Sequence, residues 1–360
     1  MSRPWFIHDI ATAVPDTAIG SAESAALFQQ ACRDKRTQRL LPRLARLTGI
    51  ERRYLAALTP EFAPYSPNAL YRTIAEQPNG PGMGARMRAF DIAVDPLVAR
   101  LVAGLPRERL AEVELLITAS CTHATAPGLE KPLLAHAPIR HSVSRWNLGF
   151  MGCSAGLAGL RMLSSMDAQA HSALVVACEL SSLHFQYSDA LDQLTANMLF
   201  ADGAAGVLLS DRPSRTRLRA AACYGVPAKA GQMVWFADDC GLRLELSQDL
   251  PDSIGSVLPG MVGEFLGAHG LRTADVHHWL VHPGGPQILD SVEQSLNLPT
   301  DTLAISRGVL RNFGNMSSPT IFFILREFLT QRVAGPVVAL AFGPGLTIEL
   351  VLLEVTRDPT

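Results

Sequence analysis

Arg145-Trp-Asn-Leu-Gly-Phe-Met-Gly-Cys153-Ser-Ala-Gly-Leu-Ala-Gly-Leu160 is the stretch around which the chain is organised. It opens polar, tightens at Gly149 and Gly152, presents one cysteine and continues as small and apolar residues suited to a helix. Glycine beside a nucleophile permits a tight strand-to-helix turn and close approach of a substrate. At a helix N-terminus, free N–H groups and the helix dipole favour a thiolate. The same residues also fit an inert buried cysteine, the commoner fate of that side chain.

A second stretch repeats the pattern. Arg311-Asn-Phe-Gly-Asn315-Met-Ser-Ser318 shares Asn-x-Gly-x-Met with the first. Each is followed by an apolar segment of helical length, Ala155–Ser165 and Pro319–Val333. Next in each case come an apolar strand (Ala173–Ala177 or Val337–Phe342), a glycine turn (Asp202-Gly203 or Gly343-Pro-Gly345) and another strand (Ala204–Leu209 or Thr347–Val355). This common order argues for an ancient duplication in which both glycine turns face one shared site.

Elsewhere, Trp5–Ile10, Val113–Ala119 and Trp279–Val281 read as short strands. Helices are expected from Ser21 to about Leu41, with Pro42 opening a further turn, and over Ala85–Leu105, Leu258–Ala268 and Pro286–Leu296. The Pro- and Gly-rich stretches Thr59–Asn68 and Gln77–Gly84 read as loops. Alternating strands and helices argue for a layered α/β architecture.

The bulk numbers narrow the function. At 360 residues the chain has room for two domains or one large duplicated unit. With 48% hydrophobic and 18% charged residues it is globular and apolar rather than disordered. A net charge of −2 argues against a nucleic-acid-binding surface. The six cysteines are scattered with no C-x-x-C, which excludes a zinc ribbon or a thioredoxin-type pair. The N-terminus lacks a signal-peptide core, and no run approaches the roughly 18 apolar residues of a membrane span. A cytoplasmic protein is expected.

A nucleophilic cysteine needs a base or an ion-pair partner. His282 ends the strand Trp279–Val281 and begins His282-Pro-Gly-Gly-Pro286, a rigid turn at a sheet edge where α/β sites form. It could also be a loop histidine that caps a helix. Asn315 could likewise be a helix cap. As a site residue it would be a neutral donor beside His282, the two building an oxyanion hole for a thioester carbonyl.

Gly152-Cys153-Ser-Ala-Gly156, His282-Pro-Gly-Gly-Pro-Gln-Ile-Leu-Asp290, Gly314-Asn-Met-Ser-Ser318 and Phe342-Gly-Pro-Gly-Leu346 together resemble the type III polyketide synthases, the chalcone synthase-like family. The resemblance runs from about Ile7 to Val355, with Ala341 a conservative departure from the family's Gly-Phe-Gly-Pro-Gly. It implies a thiolase-like α/β fold: two duplicated βαβαβ-type halves, residues 1–211 and 212–360, packed as an α-β-α-β-α sandwich. It also implies a homodimer that works without acyl carrier protein and without a metal or redox cofactor, on malonyl-CoA and an acyl-CoA starter. Cys153 would carry the acyl chain. His282 would hold it as thiolate and, with Asn315, stabilise the enolate from malonyl-CoA.

The resemblance places Phe200 as a gatekeeper between CoA tunnel and cavity, with Leu244 where the family has a second gatekeeper phenylalanine. Other cavity positions fall at Cys121, Thr122, Glu179, Ser181, His184, Ala196 and Ser317. His184, larger than the residue many members carry, is expected to make that wall polar. Ala126, where plant enzymes commonly have a methionine reaching across the dimer, is expected to add room. Arg43 falls where the family binds the CoA phosphates, and the neighbouring family lysine falls at or near Leu47, with Arg46 beside it. Loss of bulk at Leu244 and Ala126 points to a fatty acyl-CoA or malonyl-CoA starter and an alkylpyrone, alkylresorcinol or small phenolic product. The rival readings are a carrier-dependent ketoacyl synthase III-like enzyme, whose histidine loop differs, and a non-catalytic thiolase-fold protein, which would be expected to lack Cys153, His282 or Asn315.

Overall fold

The structure is a computed structural model that describes residues 3–64, 66–165 and 170–357. The strands of the N-terminal part are β1 (Trp5–Ala13), β2 (Ala18–Gly20), β3 (Arg52–Tyr54), β4 (Leu115–Ser120), β5 (Ser144–Gly149), β6 (Ser172–Leu180) and β7 (Asp202–Ser210). Those that follow are β8 (Thr216–Gly225), β9 (Met233–Asp238), β10 (Gly241–Leu246), β11 (His278–Val281), β12 (Gly335–Gly343) and β13 (Thr347–Val355). Nine of them form one mixed sheet in the order β11-β12-β13-β8-β1-β7-β6-β4-β5.

The pairing repeats. In the first half β4 runs parallel to β6, β6 antiparallel to β7, and β7 antiparallel to β1. In the second, β11 runs parallel to β12, β12 antiparallel to β13, and β13 antiparallel to β8. β1 and β8 join the halves. The duplication expected from the two Asn-x-Gly-x-Met stretches is therefore present in the strand topology. In addition, β5 lies parallel to β4 and leaves its other edge open.

The helices are α1 (Ser21–Gln30), α2 (Lys35–Leu47), α3 (Met83–Ala103), α4 (Arg107–Ala111), α5 (Glu130–His136), α6 (Ala155–Ser165), α7 (Leu191–Leu199), α8 (Leu250–Gly267), α9 (Pro286–Ser295), α10 (Ala304–Phe313) and α11 (Thr320–Thr330). Three hydrophobic cores define five layers. α3 and α5 pack on the outer face of the first half, and α8 and α9 on that of the second. α6 and α11 are buried between the halves, against strands of both. Helices apolar on nearly all sides belong in such a central layer. Arg161 of α6 grips the fully buried Glu349 of β13 with two hydrogen bonds of 2.8 and 3.0 Å, tying the helix after Cys153 to the other half.

Several expectations are corrected. The helix expected from Ser21 to Leu41 is two helices, because Asp189 Oδ1 accepts the N–H groups of Arg33 and Asp34 and holds the chain open there. Asp34 then caps α2 by accepting from Thr37 N at 2.8 Å, and Pro42 lies inside α2. α8 starts at Leu250, eight residues before the expected Leu258. Polar, exposed β5 and the β9–β10 hairpin are strands that were not expected, although β9 opens on the apolar run Met233–Ala237. A short 3₁₀ turn, Pro60–Phe62, interrupts the loop expected over Thr59–Asn68, in which Tyr65 lies outside the described residues.

Candidate active site

The chain enters the cysteine turn through two residues of positive φ, Phe150 at 57° and Gly152 at 59°. Gly152 is required twice over. Its φ is left-handed, and a Cβ there would stand 2.5 Å from Pro344 Cδ. Cys153 follows in a 3₁₀ turn, Gly152–Ser154, that runs directly into α6. The second half's glycine turn thus packs on the first half's cysteine. The converse also holds, since a Cβ on Gly203 would lie 2.6 Å from Met316 Sδ, beside Asn315. Each glycine turn seats the other half's site residue.

Asn315 is held by main-chain bonds across the seam, its N–H donating to Leu199 O at 3.0 Å and its carbonyl accepting from Ala201 N at 2.8 Å. Its side-chain Oδ1 accepts the N–H of Ser317 at 2.8 Å, with Ser317 at φ 59°. The helix cap expected of this asparagine is not made, since α11 begins at Thr320 after Pro319; Oδ1 instead closes a local turn onto Ser317. The thiol of Cys153 lies 4.0 Å from Oδ1.

His282 continues the β11–β12 pairing by one residue, donating its N–H to Leu340 O at 2.8 Å. The side chain is 1% exposed, and among the described residues neither ring nitrogen has a hydrogen-bond partner. A buried imidazole with both nitrogens idle is costly in a static core and suits a site that a reactant completes. Burial pushes the His282 imidazole down to about 3 and the Cys153 thiol up to about 11, so each rests in its neutral form when the cavity is empty.

Cys153, His282 and Asn315 line one cavity of about 60 Å³, together with Cys121, Thr122, Ser181, Phe200, Leu244 and Ser317. Nine of the residues expected at the site therefore meet in space. Sequence reasoning missed Trp235, also on the wall. It pairs across the β9–β10 hairpin with Leu244, and its ring centroid lies 6.4 Å from that of Phe200. The bulk absent at Leu244 is thus supplied by its cross-strand partner. The apolar run Met233–Ala237 followed by the alternating Leu242-Arg-Leu-Glu-Leu246 is the sequence signal that could have revealed this hairpin.

Three expected contacts are corrected. Glu179 is fully buried behind the wall, its carboxylate occupied by protein donors. His184 makes no polar wall: Nε2–H donates to Thr122 O at 3.0 Å and Nδ1 accepts from Leu242 N at 3.2 Å, using both nitrogens. Ala196 is buried in α7 and does not line the cavity. Arg43 and Arg46 are exposed on α2, which ends beside the histidine turn, where Gly49 packs on Pro286. Ala126 is exposed, before Pro127 in a loop.

A duplicated five-layer α/β fold with cysteine, histidine and asparagine gathered at its seam is the arrangement of a thiolase-like condensing enzyme. Residues 217–356 match the family described as chalcone and stilbene synthases, C-terminal domain. Residues 64–225 match the FAE1/type III polyketide synthase-like protein family. The chain is 32% identical over 283 residues to the alpha-pyrone synthesis polyketide synthase-like Pks18 of Mycobacterium tuberculosis, covering 75% of this chain and 71% of that protein. It is 30% identical over 372 residues to the 1,3,6,8-tetrahydroxynaphthalene synthase of Streptomyces peucetius, covering 98% and 94%. Among solved structures, PKS-I from the brown alga Ectocarpus siliculosus superposes with a TM-score of 0.88 at 26% identity, over 99% of both chains. The chain belongs to the chalcone synthase-like family of type III polyketide synthases, and it is an acyltransferase. Among the described residues, no helix is long and apolar enough to cross a membrane.

Proposed function

We propose that Cys153 accepts an acyl group from a CoA thioester and extends it with malonyl-CoA, without a carrier protein and without a metal or redox cofactor. The observation that carries this reading is the one cavity lined by Cys153, Asn315 and His282, the last with both ring nitrogens idle. The thiol proton passes to His282 as sulfur attacks the thioester carbonyl. The oxyanion is held by Asn315, and the CoA thiolate leaves, taking the proton from His282. Malonyl-CoA then loses CO₂. The resulting enolate, stabilised by Asn315 Nδ2–H and the His282 N–H, attacks the acyl-cysteine and displaces Cys153 as thiolate. The lengthened chain, now a β-ketoacyl-CoA, is taken back when that thiolate attacks its thioester carbonyl and CoA thiolate leaves. Arg43 and Arg46, beside the histidine turn, are placed to pair with CoA phosphates.

If His282 is the proton acceptor, His282→Gln removes the group that takes the thiol proton while the burial that raises the thiol stays in place. Alkylation of Cys153 by iodoacetamide at pH 7 then slows by at least about tenfold. An unchanged rate at pH 7 contradicts the assignment.

The starter we infer is small, malonyl-CoA itself, and the product a small phenolic or pyrone. Trp235, on the cavity wall beside Phe200, restores the bulk that Leu244 lacks and favours a short starter over a long one. This narrows the fatty-acyl alternative that Leu244 and Ala126 had left open. Purified enzyme given malonyl-CoA alone is expected to form product. Added acyl-CoAs of growing length are expected to be taken up with falling kcat/KM, read from product masses. A kcat/KM that rises with chain length contradicts the small starter.

A second copy of the chain is the proposed partner at β5. That strand offers an open sheet edge flanked by Trp146, 51% exposed, and Phe150, 56% exposed. Such an edge is covered in stable proteins.

A further inference from the structure

We propose that Glu179 is a positioning residue of the condensation reaction: a single buried carboxylate that braces the cysteine side and the asparagine side of the cavity against each other. The inference rests on the roles given above to Cys153 and Asn315.

Glu179 sits at the end of β6, fully buried. Its Oε2 accepts from Thr122 N at 3.0 Å and Thr122 Oγ1 at 2.7 Å, and both its oxygens receive the N–H of Cys121, at 3.0 and 3.1 Å. Cys121 and Thr122 follow β4 and line the cavity, and Cys121 Sγ in turn accepts the N–H of Gly152 at 3.0 Å, one residue before the nucleophile. All these groups belong to the first half. Across the seam, Ser318 Oγ donates to Glu179 Oε1 at 2.7 Å. Ser318 follows Ser317, whose N–H fixes the amide of Asn315. One carboxylate thereby joins the loop behind Cys153 to the turn that aims Asn315.

Such an arrangement exceeds what fold stability asks of a buried acid. Burying a carboxylate is expensive, and an apolar side chain of similar volume would fill the space at lower cost. Burial raises the Glu179 carboxyl, and two backbone N–H groups and three hydroxyls, of Ser120, Thr122 and Ser318, converge on it as a donor set that favours the anion and offsets part of that push. Burial is the main reason the Cys153 thiol is raised, and the Glu179 carboxylate behind the site adds to it.

The test uses the full-length enzyme with Glu179→Gln, Glu179→Ala and Ser318→Ala, following malonyl-CoA turnover and the pH midpoint of Cys153 alkylation. Ser318→Ala, which cuts only the bond across the seam, is expected to lower kcat by at least about tenfold while leaving the alkylation midpoint in place. Glu179→Gln, which keeps the shape and loses the charge, is expected to move the midpoint down by about one pH unit and to retain more turnover than Glu179→Ala. Wild-type kcat in Ser318→Ala together with a wild-type midpoint in Glu179→Gln would overturn the proposal. The alkylation readout needs no substrate. A downward shift in Glu179→Gln therefore supports the electrostatic role of Glu179 even if the wild-type enzyme fails to consume malonyl-CoA, a failure that would count against the proposed function instead.

Discussion

Cys153→Ala is expected to lower product formation from malonyl-CoA by about 10⁴-fold or more, with the fold intact. The sulfur is the only group at this position that can hold the growing chain. Removing a covalent nucleophile removes the whole two-step route rather than part of it, which is why such substitutions have effects of this size. The small side chain fits the space without strain, because Cys153 lies in a 3₁₀ turn whose left-handed residues are its neighbours Phe150 and Gly152, not itself. Product assay and thermal melting on the same preparation separate the two effects. Product at more than a hundredth of the wild-type rate, with an unchanged melt, contradicts the role of Cys153.

Gly156→Val is expected to damage both stability and turnover. Gly156 lies in the first turn of α6, where a Cβ would stand 2.6 Å from the carbonyl oxygen of Ser318 and 3.2 Å from Ile321 Cγ2. The first of these neighbours is backbone and cannot turn aside. Valine must push the start of α11 away from α6, an overpacking cost of about 2–3 kcal/mol. The same push parts Cys153, three residues before Gly156, from Asn315, three residues before Ser318. A misplacement of about 1 Å between reacting groups costs on the order of 100-fold in rate. Denaturant unfolding and turnover measure the two losses. A variant with wild-type stability and wild-type turnover would show that the close crossing of the two central helices does not set the site.

The central helices and the apolar strands were legible in the sequence because they are buried on every side, so that composition alone marks them. α6 was expected over the residues it occupies, and the duplication could be read from two short stretches that lead into those helices. What escaped were elements whose formation depends on partners elsewhere. The break between α1 and α2 is made by Asp189, some 150 residues away. The β9–β10 hairpin escaped as well, although its apolar run Met233–Ala237 and its Leu242-Arg-Leu-Glu-Leu246 alternation are written locally, and with it went Trp235. Cys153, His282 and Asn315 stood out because their glycine-rich turns are written locally, and the structure gathers the three on one cavity. Glu179 and His184 were placed near the right site but given the wrong neighbours. A family position fixes where a residue sits along the chain, whereas hydrogen bonds to Thr122, Ser318 and Leu242 decide which way the side chain is used.

The central claim, that Cys153 carries the acyl chain directly from CoA, is tested most directly by trapping that chain. Purified enzyme is mixed with an acyl-CoA starter that cannot be extended because malonyl-CoA is withheld, quenched in acid and digested. Peptide masses then locate the adduct. The account predicts one acyl group per chain, on the peptide containing Cys153, formed without any carrier protein and released by neutral hydroxylamine. An adduct on a different residue, or none until an acyl carrier protein is supplied, would contradict it.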